Sequence, residues 1–173
     1  MPAGTLISLD EYLRTSYRPD CEYVDGVLVD RNVGKREHSL LQTKIARVLD
    51  TLGDEKRFWT FTEQRVQVTP KRVRIPDVCV VLGQMPAEDV LTAAPFLCTE
   101  ILSPDDRMIE MQERTDDYLA LGVPWVWVIN PKTRTADIHT RQQVVRAPEG
   151  VLTTENPNIR ISLPEIYNML AEK

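Results

Sequence analysis

Hydrophobic residues recur along this chain in two rhythms, and each predicts a kind of element. From about Glu37 to Leu52, the residues His38, Leu41, Ile45, Val48 and Leu52 return at three- and four-residue intervals while Lys44, Arg47 and Asp50 point elsewhere. One face of a helix is therefore apolar, and Gly53 is expected to end it. Ser103-Pro104-Asp105-Asp106 supplies an N-cap, a proline for the first helical position and acids for the first turn, which predicts a helix to Leu121 with Gly122 as its stop. Ser8-Leu9-Asp10-Glu11 has the form of a capping box and predicts a short helix to about Leu13; Ser162-Leu163-Pro164-Glu165 opens another near the C-terminus. Strand-length apolar runs occupy residues 58–68, 73–82, 96–102 and 125–129, the first two joined by the turn-rich Thr69-Pro70-Lys71-Arg72. Residues 21–24 and 27–29 flank Asp25-Gly26, a dipeptide suited to a two-residue hairpin turn. Residues 135–140 and 143–146 are expected as more exposed strands.

No internal repeat, low-complexity tract or interdomain linker interrupts this order. At 173 residues, 42% apolar and 27% charged, the chain is expected to form one globular domain over residues 1–173. No apolar stretch approaches the roughly 20 residues needed to cross a bilayer, and Met1-Pro2-Ala3-Gly4-Thr5 lacks the blocks of a signal peptide, so a cytoplasmic protein is expected. Cys21, Cys79 and Cys98 are odd in number and far apart, which reads as buried thiols. With 21 basic and 26 acidic residues the net charge is −5, so any binding of nucleic acid must be local. The basic clusters are Lys71-Arg72-Val73-Arg74, Lys56-Arg57 and Lys35-Arg36; each also reads as a loop kept soluble by its charges.

The candidate chemistry lies in two carboxylates inside apolar runs: Asp77 in Ile75-Pro76-Asp77-Val78-Cys79-Val80-Val81-Leu82, and Glu100 in Phe96-Leu97-Cys98-Thr99-Glu100-Ile101-Leu102. An ionised carboxylate taken out of water costs several kcal/mol unless a cation or hydrogen-bond donors meet it. Two such acids suggest a shared metal ion; the other reading is that each is paired with an arginine.

Five segments taken in order, Glu22-Tyr23-Val24-Asp25-Gly26, the helix led by His38, Ile75-Pro76-Asp77-Val78, Glu100-Ile101-Leu102-Ser103-Pro104, and Tyr118-Leu119-Ala120-Leu121-Gly122-Val123-Pro124-Trp125-Val126-Trp127, resemble the PD-(D/E)xK nuclease superfamily and, within it, the Uma-type restriction-endonuclease family. The resemblance spans nearly the whole chain. It implies an α/β fold, a restriction-endonuclease-like mixed β-sheet flanked by helices, with the acids at one edge of its central strands. It also implies a metal-dependent endonuclease acting on DNA, with Mg²⁺ or Mn²⁺ held by Asp77, Glu100 and the main-chain carbonyl of Ile101. Superfamily members carry a lysine two residues after the second acid, where this chain has Leu102; the Uma-type position, four residues before Tyr118, is Arg114. Arg114 shares a helix face with Met111, Tyr118 and Leu121, so it is expected to point toward the sheet opposite Asp77 and Glu100. Guanidinium stays protonated and forks across carboxylates, so a weakened or silent nuclease-fold module that binds nucleic acid or acts as a scaffold is the alternative. His38 matches the family's helix histidine, with Gln42 one turn later on the same side; a hydrogen-bonded core histidine is the other reading. Glu22 matches the acid of the first hairpin, as a metal ligand or a partner of one, or is a surface glutamate. Glu63 alternates outward and reads as a salt-bridge residue. A homodimer is expected, because two sites related by a twofold axis cut both strands of a duplex most simply.

Overall fold

The computed structural model describes residues 6–31, 34–104 and 106–171. Helix α1 (Leu9–Arg14) opens as the capping box predicts, with the Ser8 hydroxyl accepting from Glu11 N at 3.1 Å. The hairpin of β1 (Cys21–Val24) and β2 (Val27–Asp30) turns on Asp25 and Gly26, both at positive φ, the conformation a two-residue turn between twisted strands requires. Helix α2 (Arg36–Lys56) buries Leu41, Ile45 and Leu49. It does not end at Gly53 but runs on to Arg57, which takes the left-handed conformation at φ 57°. Gly53 serves a different purpose: a Cβ there would stand 2.7 Å from the carbonyl oxygen of Phe58, so only glycine lets the next strand pass this closely.

The two long runs expected as single strands each divide. The first becomes β3 (Phe58–Thr62) and β4 (Val66–Thr69), the second β5 (Arg72–Arg74) and β6 (Val78–Leu82). The breaks fall at Glu63, which adopts φ 52°, and at Ile75-Pro76, where proline lacks the N–H a ladder needs. Each run thereby crosses between sheets. β4 and β5 join the hairpin in a four-stranded sheet of order β2-β1-β5-β4.

β3 and β6 enter the large mixed sheet with β7 (Leu97–Ile101), β8 (Trp125–Asn130), β9 (Thr135–His139) and β10 (Val144–Arg146), in the order β10-β9-β8-β7-β6-β3. Only β7 and β8 are parallel, and α3 (Met108–Leu121) connects them. α3 begins later than its capping signal predicts: Ser103 N donates to the Asp106 carboxylate and Asp106 N to Ser103 O, and this local turn diverts the chain before the helix starts after Arg107. Asp105, expected as a first-turn acid, lies outside the described residues. Gly122 ends α3 at φ 115°, as expected. β9 is more buried than expected, whereas β10 is exposed along its length. A hairpin of β11 (Val151–Thr153) and β12 (Arg160–Ser162), without a signal in the sequence reading, leads into α4 (Leu163–Ala171).

Alternation along the strands divides the core. Val78, Val80, Leu97, Trp127 and Ile129 pack with Leu41, Ile45 and Leu49 of α2 on one face of the large sheet. Cys79, Cys98, Val126 and Val128 pack with Met111 and Tyr118 of α3 and with Val66 and Val68 on the other. Trp127 is fully buried, and all three cysteines are buried and free, as their setting predicts.

Substituting Gly53→Ala tests the close approach. Alanine is the better helix former by about 1 kcal/mol, but overpacking against Phe58 should outweigh this and give net destabilisation of about 1–3 kcal/mol in urea unfolding.

Candidate active site at the end of the central strands

Strands β6 and β7 pair antiparallel with Val78 opposite Thr99 and Cys79 opposite Cys98. Continuing that register by one residue sets Asp77 against Glu100, on the α3 face of the sheet, where opposed side chains lie roughly 5 Å apart. Asp77 is 3% exposed and Glu100 4%. With no room to move into water, each must be met by donors.

Asp77 Oδ2 accepts the main-chain N–H of Ile101 at 2.7 Å and faces His38 Nε2 at 3.3 Å; Oδ1 accepts from Arg31 Nη2 at 3.0 Å. Gln42, one turn beyond His38, donates to the carbonyl oxygen of Asp77. The Ile101 contact in this structure is thus through its N–H. Glu100 Oε1 accepts from the Tyr118 hydroxyl at 2.7 Å. Burial, followed by the negative charge of Asp77, pushes the Glu100 carboxyl from its ordinary 4.5 to about 8, against the opposing pull of Arg114. Burial disfavours charge on His38, yet the hydrogen bond and the charge of Asp77 prevail, and its pKa is raised.

Asp77, Glu100, Ile101, Arg31, His38, Arg114, Ser103 and Asp106 line a small, partly open cavity of about 20 Å³. Arg114 reaches this cavity, but its hydrogen bond runs from Nε to Glu22 Oε2 at 3.1 Å rather than to Asp77 or Glu100. Glu22 is fully buried and does not line the cavity. Its carboxylate also receives Arg74 Nη1 at 2.8 Å and Ile75 N at 3.1 Å, so it stands behind the site and positions Arg114. Arg74 and Arg72 both bond Asp117 of α3, and Arg72 bonds Asp25. The basic run 71–74 is therefore neither a solvated loop nor, at Arg72 and Arg74, a free cationic surface; its arginines join the small sheet to α3. The side chain of Lys56 lies outside the described residues. Lys35 and Arg36 border a groove of about 400 Å³ that adjoins the cavity, shares His38, Ser103 and Asp106 with it, and combines Lys132 with apolar Leu102, Pro104, Met108 and Pro131.

Arg31 escaped the sequence reading. It belongs to no motif and follows the hairpin in irregular chain; the only signal was the need of Asp77 for a cation. Glu63 forms the expected ion pair, with Arg31 Nη1 at 3.6 Å, and lies beside Gln42 at the rim.

A family model described as "Uma2: Putative restriction endonuclease" matches residues 9–167. The chain belongs to the Uma2 family. A solved structure described as "a putative nuclease belonging to DUF820 from Anabaena variabilis" aligns with a TM-score of 0.80 over 95% of this chain and 99% of that one, at 22% identity, a likeness of fold. None of the curated proteins matches. Among the described residues no helix is long and apolar enough to cross a membrane.

The donor set of this Uma2 chain fits a hard divalent cation. Among the described residues no three His, Cys, Asp or Glu side chains group closely enough to hold a metal by themselves. Two carboxylates completed by water suit Mg²⁺ or Mn²⁺, and the raised Glu100 pKa marks a place where added positive charge is favourable.

Two outcomes follow from these charges. Because the folded pKa of Glu100 lies above its ordinary value, the folded protein keeps a proton that the unfolded chain has released. The contribution of Glu100 to metal-free stability should therefore be fullest below about pH 4.5, fall as pH rises toward about 8 and level off beyond, with that of His38 running in the same direction across its own raised value. Glu100→Gln should flatten this slope by on the order of a few kcal/mol in urea unfolding across pH 5 to 9. Glu22→Ala removes a carboxylate shared by Arg74 and Arg114 and should cost about 3–5 kcal/mol, read in the same assay.

Proposed function

We propose that this protein is a metal-dependent endonuclease that hydrolyses DNA phosphodiester bonds. The observation that carries the reading is the buried pair of Asp77, directly before β6, and Glu100, on the neighbouring β7, which line one cavity in a chain of the Uma2 family. These two carboxylates, with the main-chain carbonyl oxygen of Ile101, would hold Mg²⁺ or Mn²⁺. Such an ion, when bound, supplies Lewis acidity toward a phosphate and a water acidified for attack.

The remaining work falls to the chain's own groups. Arg36 and Lys132 present positive charge along the adjoining groove, whose apolar wall of Leu102, Pro104 and Met108 suits a sugar or base face, so the strand would lie there with one phosphate over the cavity. His38, favoured in its protonated form by Asp77, adds positive charge at the same place. Arg114, fixed by Glu22, would stand in for the family's lysine, holding charge against the phosphate rather than exchanging a proton, since guanidinium does not deprotonate. Two copies related by a twofold axis would cut both strands.

One feature favours a second reading. Leu102 stands where the superfamily lysine would be and Arg114 is committed to Glu22, an arrangement suited to a module that binds nucleic acid without cutting it. Nicking of supercoiled plasmid in Mg²⁺ or Mn²⁺ separates the two. Nuclease action predicts cleavage that falls roughly a hundredfold or more in Asp77→Asn and Glu100→Gln at matched folding. Binding of plasmid without cleavage in either ion would select the module.

A further inference from the structure

Asp77 Oδ2 is already engaged by the Ile101 N–H and by His38, which leaves Oδ1 as the oxygen able to meet a further cation. That oxygen is held by Arg31 Nη2 at 3.0 Å. The cavity between the acids, about 20 Å³ in volume, is walled on one side by the same guanidinium. A space of that size admits about one water-sized particle, whereas Mg²⁺ bound by two carboxylates keeps several waters. Ion and guanidinium therefore compete for both charge and room.

The setting of Arg31 also differs from that of the permanent ion pairs nearby. Arg74 and Glu22 expose 4% and 0% of their side chains and are cross-linked to further partners on separate elements. Arg31 exposes 18%, lies outside any strand or helix, and among the described residues bonds Asp77 and, at 3.6 Å, Glu63 at the rim, whose side chain is 52% exposed. A guanidinium that leaves Asp77 thus has Glu63 and open solvent beside it.

We propose that Arg31 is a resident counter-cation of the Asp77–Glu100 centre, displaced from Asp77 when a divalent ion binds, so that it stabilises the metal-free protein and weakens metal affinity. The inference rests on the metal-binding part of the proposed function. The exchange replaces the single positive charge of the guanidinium at Asp77 with the two of the divalent ion, which matches a pair of ionised carboxylates better than one guanidinium does. Arg31 is by this reasoning a competitor of the metal for Asp77, distinct from Arg114, whose partner Glu22 lies behind the site.

Calorimetric titration of the full chain with Mn²⁺ at pH 8, joined to thermal melting with and without the ion, tests this. Arg31→Gln should bind Mn²⁺ roughly tenfold or more tightly than wild type, the scale of one charge-assisted hydrogen bond lost from the competing state. It should melt lower than wild type without metal, and the difference should shrink at saturating Mn²⁺. Arg31→Lys, which retains a cation but cannot fork between Asp77 and Glu63, should fall between the two and keeps the test decisive if the glutamine variant folds poorly. Equal or weaker Mn²⁺ binding by both variants would overturn the exchange while leaving the metal site standing. Absence of binding in wild type and both variants would overturn the metal reading together with it. Binding that appears only in the variants would support the exchange in its strongest form.

Discussion

Two carboxylates facing each other across a buried strand pair are the constraint on which the rest of this site depends. At roughly 5 Å and an effective dielectric near 20, a pair of full charges repels by about 3 kcal/mol, a large share of the stability of a domain this size. Every group around Asp77 and Glu100 answers that repulsion. Arg31 and the Ile101 N–H neutralise and hold Asp77, His38 adds a titratable cation, and Tyr118 donates to Glu100, which also resists ionisation up to about 8. The same tension is what a divalent cation would relieve, so the feature that costs stability in the metal-free protein would also be the source of the proposed metal affinity.

Behind the first centre lies a second set of charges with a different character. Asp25, Arg72, Asp117, Arg74, Glu22 and Arg114 form a chain of ion pairs running from the hairpin turn through β5 to α3. Buried pairs of this kind contribute little net stability relative to an apolar core, yet losing one member leaves its partner charged in a medium that does not tolerate it. Their consequence here is geometric. Because the four-stranded sheet supplies Glu22 and α3 supplies Arg114, the orientation of the sheet on the helix decides where the Arg114 guanidinium sits relative to the cavity.

The adjoining groove gains its meaning from the turn of Ser103 to Asp106. Had α3 begun at its proline, as the capping signal suggests, this stretch would have formed helix. Instead the Asp106 carboxylate closes on Ser103 N, and the resulting turn forms part of the wall of both the small cavity and the larger groove. A local hydrogen bond thereby joins the small cavity to the groove beside it, where the proposed ion and nucleotide chain would lie.

The sequence alone determined what neighbouring residues can decide among themselves. The Ser8 cap, the Asp25-Gly26 turn, the apolar stripe of α2, the stop at Gly122 and the two acids in apolar runs all rest on interactions within a few residues, and the ordered motifs identify the family. Tertiary structure decided the rest, because burial of charge is settled by partners far away in the chain. Arg31 meets Asp77 across 46 residues, Arg74 meets Glu22 across 52, and Arg114 meets Glu22 across 92. Nothing local distinguishes Arg74, sealed in an ion pair, from a surface arginine, or marks Arg31 as the cation of the centre. Likewise residues 58–68 and 73–82 are apolar enough for continuous strands; Pro76 weakens the second run locally, but that each run is shared between two sheets, with the first divided at Glu63, is decided by which partners their backbone hydrogen bonds find.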